Sequence, residues 1–180
     1  MKKCALVIGH KKSSPGASNE NSNLSEFDFN DELAKDIERQ VRGVSVQRVY
    51  RRTYHSLPSD INELKPDFII SLHCNAFNQE ASGTEVLYYH RSDTGKSIAG
   101  ILLKYLVVAL ELKNRGVKPK DSEDRGGFLL KRTDSPCLIS EPFFIDNDKD
   151  LNKALDSRIN LVVAYARAIE DIAVLLSIND

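Results

Sequence analysis

The chain has 180 residues, 41% of them hydrophobic and 28% charged, with a formal net charge of −1. This length suits one domain, residues 1–180, whose core can bury roughly 70% of the unfolded surface without a disulfide or metal staple. The near-neutral balance excludes the basic excess of a nucleic-acid binder and gives no ground for adhesion to anionic membranes.

Met1-Lys2-Lys3 looks like the positive end of a signal peptide, but the apolar run Cys4 to Ile8 is too short for one and Gly9-His10 ends it. Ala5 to Ile8 reads instead as a buried strand. Lys11 to Leu24 is polar and rich in Ser, Asn, Pro and Gly, the composition of a loop. Ser25 is placed to cap a helix opening at Glu26, with Asp28 as its capping-box partner. Leu33, Ile37 and Val41 line the inner face, and Gly43 is expected to end the helix. Val44 to Tyr50 alternates as a second strand. A short helix fits Asp60 to Leu64. Phe68 to Leu72 is a third strand after Pro66, and Gly83 to Tyr89 a fourth.

Asp93 to Leu112 has helical periodicity through Ile98, Leu102, Tyr105, Leu106, Ala109 and Leu112. Asn114 to Gly127 reads as a charged loop, Phe128 to Leu130 as a short strand and Cys137 to Glu141 as another. One last helix is expected from about Asp150 to Leu176, with Leu151, Leu155, Ile159, Val162, Val163, Ala166, Ile169 and Ala173 on one face. Strands alternating with helices predict an α/β fold: an open, twisted, mostly parallel sheet of about six strands with helices on both faces. No segment approaches the roughly 18 apolar residues of a membrane span. The expected protein is made in the cytoplasm, without membrane insertion, and needs outside help to reach anything beyond the membrane. Cys4, Cys74 and Cys137 are odd in number and far apart, which reads as reduced core thiols.

Open α/β sheets form their sites at the carboxyl ends of the strands. Three strand ends here carry unusual polar residues: His10, His73 and Glu141. Glu26 opens the first helix, and Ile37 lies only about 20° away around its axis at 3.6 residues per turn. Glu26 therefore points inward, where an unpaired carboxylate is costly. Two His and one Glu form a known ligand set for catalytic zinc. A second carboxylate nearby, Glu141, is suited to moving protons. Singly, each residue is as well explained as a structural strand end or as a carboxylate compensating a helix dipole. Together they leave a metal site and that plainer reading both open.

At these residues the chain resembles the zinc-dependent N-acetylmuramoyl-L-alanine amidases, over nearly its whole length. Val7-Ile8-Gly9-His10 with Pro15-Gly16-Ala17 is similar to the family's opening segment. Glu26, followed by Asp28 and Asn30, fits the helix bearing the second ligand. Ser71-Leu72-His73-Cys74-Asn75-Ala76 fits the Ser-x-His-x-Asn-Ala signature, and Gly83 to Tyr89 the strand after it. Asn114 to Lys118 fits the loop after the long helix. Leu138 to Phe144, with Asn147, fits the segment holding the catalytic Glu. Lys11-Lys12 stands where Gly-Gly is usual, and Pro142 where Gly follows the catalytic Glu. Both departures touch substrate preference rather than the ligand set.

The resemblance implies hydrolysis of the amide between N-acetylmuramic acid and L-alanine in peptidoglycan. It implies one Zn2+ per chain on His10, Glu26 and His73, with Glu141 as proton shuttle and Asn75 supporting the His73 loop or touching substrate. It further implies an endolysin-like or autolysin-like catalytic domain, acting as a monomer on the cell wall once the membrane is permeabilised. An amidase-like binding protein and a zinc peptidase or deacetylase are the rival readings. Glu20 rivals Glu26 as ligand but lies in a polar loop, and sites favour rigid elements. Cys74 is expected to pack away from a metal, since strand neighbours face opposite ways. His55 and His90 read as solvated loop residues. Arg48, Arg51 and Arg52 read as a solvated cluster, with contact to stem-peptide carboxylates as the alternative.

Overall fold

A computed structural model of the chain describes residues 1–178. In chain order it contains β1 (Lys3–Ile8), a small hairpin of β2 (Ser18–Asn19) and β3 (Leu24–Ser25), α1 (Glu26–Gln40), β4 (Ser45–Tyr50), α2 (Leu57–Asn62) and β5 (Phe68–Leu72). There follow β6 (Thr84–Tyr89), α3 (Asp93–Leu110), β7 (Asn114–Lys120), α4 (Gly127–Arg132), β8 (Cys137–Glu141), α5 (Asp148–Asp156) and α6 (Arg158–Ile178). Six strands form one sheet in the order β4-β1-β5-β8-β6-β7. Every neighbouring pair is parallel except β6 with β8. The expected α/β architecture, mostly parallel but mixed, is thus the observed one.

Strand alternation sorts the core into two layers. Cys4, Leu6, Ile8, Phe68, Ile70 and Leu72 face α1, α3 and α6 in the larger cluster. Ala5, Val7 and Ile69 face the other way, against Leu57, Ile61, Leu129 and Leu130 of α2 and α4. The central strands β1 and β5 are covered on both faces, which explains their continuous apolar runs. The three cysteines are free and buried.

Several expectations need correction. Helix α1 opens as expected, with Ser25 Oγ accepting from the Asp28 N–H, but it ends at Gln40 with Val41 as its cap. Gly43, at φ +72°, lies in the turn beyond. Helix α2 starts earlier than expected because Pro58 suits a first helical turn. Asn114 to Lys120 is strand β7, not loop: an edge strand pairs through its backbone on one side and tolerates charge and Pro119. Phe128 to Leu130 is helical. Gly126, at φ +85°, turns the chain into α4 and sends Leu129 and Leu130 into the smaller core layer. The last helix is two, broken at Ser157. The buried stripe runs through Leu151, Ala154, Leu161, Tyr165, Ala168 and Ile172, so Leu155, Ile159 and Val163 are exposed rather than on the inner face.

Candidate metal centre and cleft

His10 follows β1, His73 follows β5, Glu26 opens α1 and Glu141 closes β8, so the four reach one edge of the sheet. One donor atom from each of His10, Glu26 and His73 lies within 4.8 Å of the other two. Glu26 is 1% exposed. Its Oε1 sits 2.9 Å from His73 Nδ1 and accepts from the Cys74 N–H at 3.0 Å. Its Oε2 lies 3.3 Å from His10 Nε2 and accepts from the Ala17 N–H at 3.2 Å. The Pro15–Ala17 segment closes over the head of α1, with the Glu26 N–H donating to the Ala17 carbonyl and the Phe27 N–H to that of Pro15.

Two glycines make this convergence sterically available. A Cβ on Gly9 would overlap the His73 ring, and a Cβ on Gly16 would overlap Glu26 Oε2 and the His10 ring. Gly16 also has φ +83°, a conformation costly to residues with a Cβ. The two imidazoles meet edge to face, with centroids 5.2 Å apart.

Burial lowers the His10 pKa, with the Glu26 charge opposing. Burial also disfavours a cationic His73, but the hydrogen bond and charge of Glu26, joined by Glu141, outweigh it and raise its pKa. The same contacts outweigh desolvation at Glu26 and hold its carboxyl below the usual range. Burial pushes the Glu141 carboxyl up to about 8, against the charge of His73.

The donor set fits a borderline divalent metal such as zinc. Two ring nitrogens and a carboxylate face one small space. His10 Nδ1 and Glu141 Oε2 are buried without a hydrogen-bond partner. The rival Glu20 is exposed and lines a different hollow, beside Asp146 and Asp148. Cys74 is buried away from the cluster, where Asn30 Nδ2 approaches its Sγ at 3.6 Å. Its backbone N–H, not its thiol, serves the site.

A cleft of about 350 Å³ opens over the cluster, lined among others by His10, His73, Asn75, Glu85, Arg125 and Glu141. Asn75 donates to Glu85 Oε1 at 2.9 Å, and Arg115 donates to Glu85 Oε2 at 2.8 Å. Backbone bonds from the Asn75 N–H to the Phe143 carbonyl and from the Ile145 N–H to the Asn75 carbonyl tie the His73 loop to the segment after β8. Glu85 and Arg125 escaped the sequence reading. Glu85 stands opposite Glu141 in the β6–β8 register, a pairing invisible before the strand order is known. His55 is exposed, with its ring against Phe128, and His90 is exposed beside Lys120. The arginine cluster divides: Arg48 pairs with Glu38, Arg52 with Asp60, and Arg51 lines the cleft.

Fold and cluster define a class: an α/β protein with a two-imidazole, one-carboxylate candidate metal centre at the carboxyl edge of its sheet. Within that class the chain belongs to the N-acetylmuramoyl-L-alanine amidase family, whose profile matches residues 4–171. It is 35% identical over 102 residues to an uncharacterized cell wall amidase of Bacillus anthracis, covering 52% of this chain and 18% of that protein. A Bacillus subtilis relative, the uncharacterized protein YqiI, is 26% identical over 110 residues, 55% of this chain and 51% of its own length. The chain thus spans about half or less of the curated relatives it matches. Among solved structures, the catalytic domain of the CD27L endolysin, targeting Clostridia difficile, superposes with a TM-score of 0.76 at 28% identity, covering 92% of this chain and 97% of that one. Among the described residues no helix is long and apolar enough to cross a membrane.

Proposed function

We propose that residues 1–180 are a catalytic domain that hydrolyses the amide between the lactyl group of N-acetylmuramic acid and L-alanine in peptidoglycan. The observation that carries this reading is the convergence of His10, Glu26 and His73 within 4.8 Å, beside Glu141, in a cleft of a chain from the amidase family. His10, Glu26 and His73 would hold one Zn2+ per chain. When bound, zinc supplies Lewis acidity for the carbonyl and for water.

This chain's own part is positioning and proton handling. The Cys74 and Ala17 N–H groups fix both Glu26 oxygens, so the carboxylate stays turned toward the two imidazoles. Glu141 takes a proton from the attacking water as the new C–O bond forms. It delivers that proton to the nitrogen as the C–N bond breaks, so the peptide leaves with a neutral N-terminal alanine amine. Asn75, held by Glu85, supports the His73 loop at the cleft wall.

Similarity to an endolysin catalytic domain supports a lytic role, that of a phage endolysin or a cell's own autolysin, reaching the wall after the membrane is opened. The domain would act as a monomer. The test is release of alanine-headed peptides from purified peptidoglycan, with zinc content read on the same samples. Wild type should cut. Glu141→Gln should keep zinc and lose at least about 100-fold in rate, and chelation should abolish cutting. Zinc bound at one per chain without peptide release would sink the amidase reading.

A further inference from the structure

Three cations line the cleft: Arg51, Lys120 and Arg125. Every carboxylate that shares the cleft wall, apart from Glu141, already has a partner. Glu85 lies between Asn75 and Arg115. Asp124 accepts from the Asp121 N–H at 2.8 Å, and Glu123 accepts from Ser122 Oγ at 3.1 Å. Neither Arg51 nor Arg125 makes an ion pair or side-chain hydrogen bond among the described residues, whereas Arg48, Arg52, Arg115 and Arg158 are all paired. The two unpaired guanidiniums come from different elements, the end of β4 and the turn before α4, yet both act electrostatically on His10. Arg125 also acts on His73 and Glu141.

A guanidinium is a planar fork suited to carboxylates, and charge-assisted pairs of this kind are roughly twice as strong as neutral hydrogen bonds. Leu57, Leu87, Leu129 and Ile139 line the same cleft and add apolar surface to it. Amphipathic stem peptides carry carboxylates on short aliphatic residues, which matches that pairing of surfaces.

We propose that Arg51 and Arg125 form a carboxylate-reading subsite for the stem peptide, selecting muramoyl peptides whose residue after L-alanine bears a free carboxylate over those bearing a carboxamide. This rests on the amidase reading and adds the substrate feature that reading leaves open. Lys120, a compact point charge that also lines the cleft, adds field without a fork.

The test compares muramoyl-L-alanyl-D-isoglutamate with its isoglutamine carboxamide as substrates for the zinc-loaded chain. Wild type should favour the carboxylate by about tenfold or more in kcat/KM. Arg125→Met and Arg51→Met should bring that ratio toward one while zinc content stays at the wild-type level, and Arg125→Lys should restore part of it. Calorimetric binding of L-alanyl-D-isoglutamate and its amide to the same proteins gives a second readout that needs no turnover. Equal handling of the two substrates by wild type, or equal loss on both in the variants, overturns the subsite. If wild type cuts neither, the amidase reading fails. The binding preference then still decides whether the arginines read a carboxylate.

Discussion

Gly16→Ala isolates what the turn over α1 contributes to the ligand cluster, because Gly43 supplies a matched control. Both glycines have positive φ, +83° and +72°, so both variants bear the cost of an L side chain in the left-handed region. That cost is roughly 1–2 kcal/mol, partly offset by the less flexible unfolded chain, leaving about 1 kcal/mol. At Gly43 nothing lies within 4 Å of the added methyl, so Gly43→Ala should lose only that. At Gly16 the methyl meets Glu26 Oε2 and the His10 ring. Glu26 cannot swing clear, since Oε1 is held by His73 and the Cys74 N–H. Relief requires breaking a hydrogen bond to a buried carboxylate, about 1–3 kcal/mol more. Urea unfolding of the metal-free proteins should therefore place Gly16→Ala about 1–3 kcal/mol below Gly43→Ala. Chelator competition should show zinc affinity unchanged in Gly43→Ala and about 10–100-fold weaker in Gly16→Ala, the range for disturbing groups that support metal ligands. Equal stability loss in both variants, with wild-type zinc affinity in Gly16→Ala, would refute the packing argument.

Two further substitutions test the frame behind the site. Asp150 is 1% exposed, and its carboxylate accepts from Ser82 Oγ and from the Gly83 and Phe144 N–H groups. Asp150→Asn sets an NH2 against those donors and should cost about 2–4 kcal/mol in urea unfolding, and a loss under about 1 kcal/mol would contradict that accounting. Tyr165 is fully buried and donates to Ser140 Oγ at 2.8 Å, behind the strand that carries Glu141. Tyr165→Phe should cost about 1–2 kcal/mol in stability with zinc content unchanged, and lost zinc would show that the bond reaches the cluster.

The legible parts of the fold were those where periodicity reports burial. Strand β5 is legible to its observed bounds because all five residues are buried, and the start of α1 because Ser25 and Asp28 agree with the Leu33–Ile37 face, whereas its end at Gln40 is not. Strand β7 was not, since an edge strand of Asn, Arg, Gly, Val, Lys, Pro and Lys has no apolar face to announce it. Phe128 to Leu130 is too short for period alone to separate helix from strand. His10, His73 and Glu141 were legible as polar residues ending apolar strands, and Glu26 by its helical phase. The glycines that admit the His73 ring and the Glu26 carboxylate stood in the motifs, but their steric reason needs the third dimension. Arg125 and Glu85 gain interest only from what surrounds them, which no local pattern encodes.

Glu26 and His73 are 47 positions apart along the chain. Bringing such ends together in a flexible polymer carries a loop-closure cost that grows with the logarithm of the separation. Here that cost falls on the sheet rather than on the cluster. β1 joins β5 through Cys4 and Phe68, and β5 joins β8 through Ile69 and Cys137, with no donor atom of the cluster taking part. Residues that do no chemistry thus supply the effective concentration of the residues that do, and the two imidazoles inherit their proximity from the backbone pairing of β1 with β5.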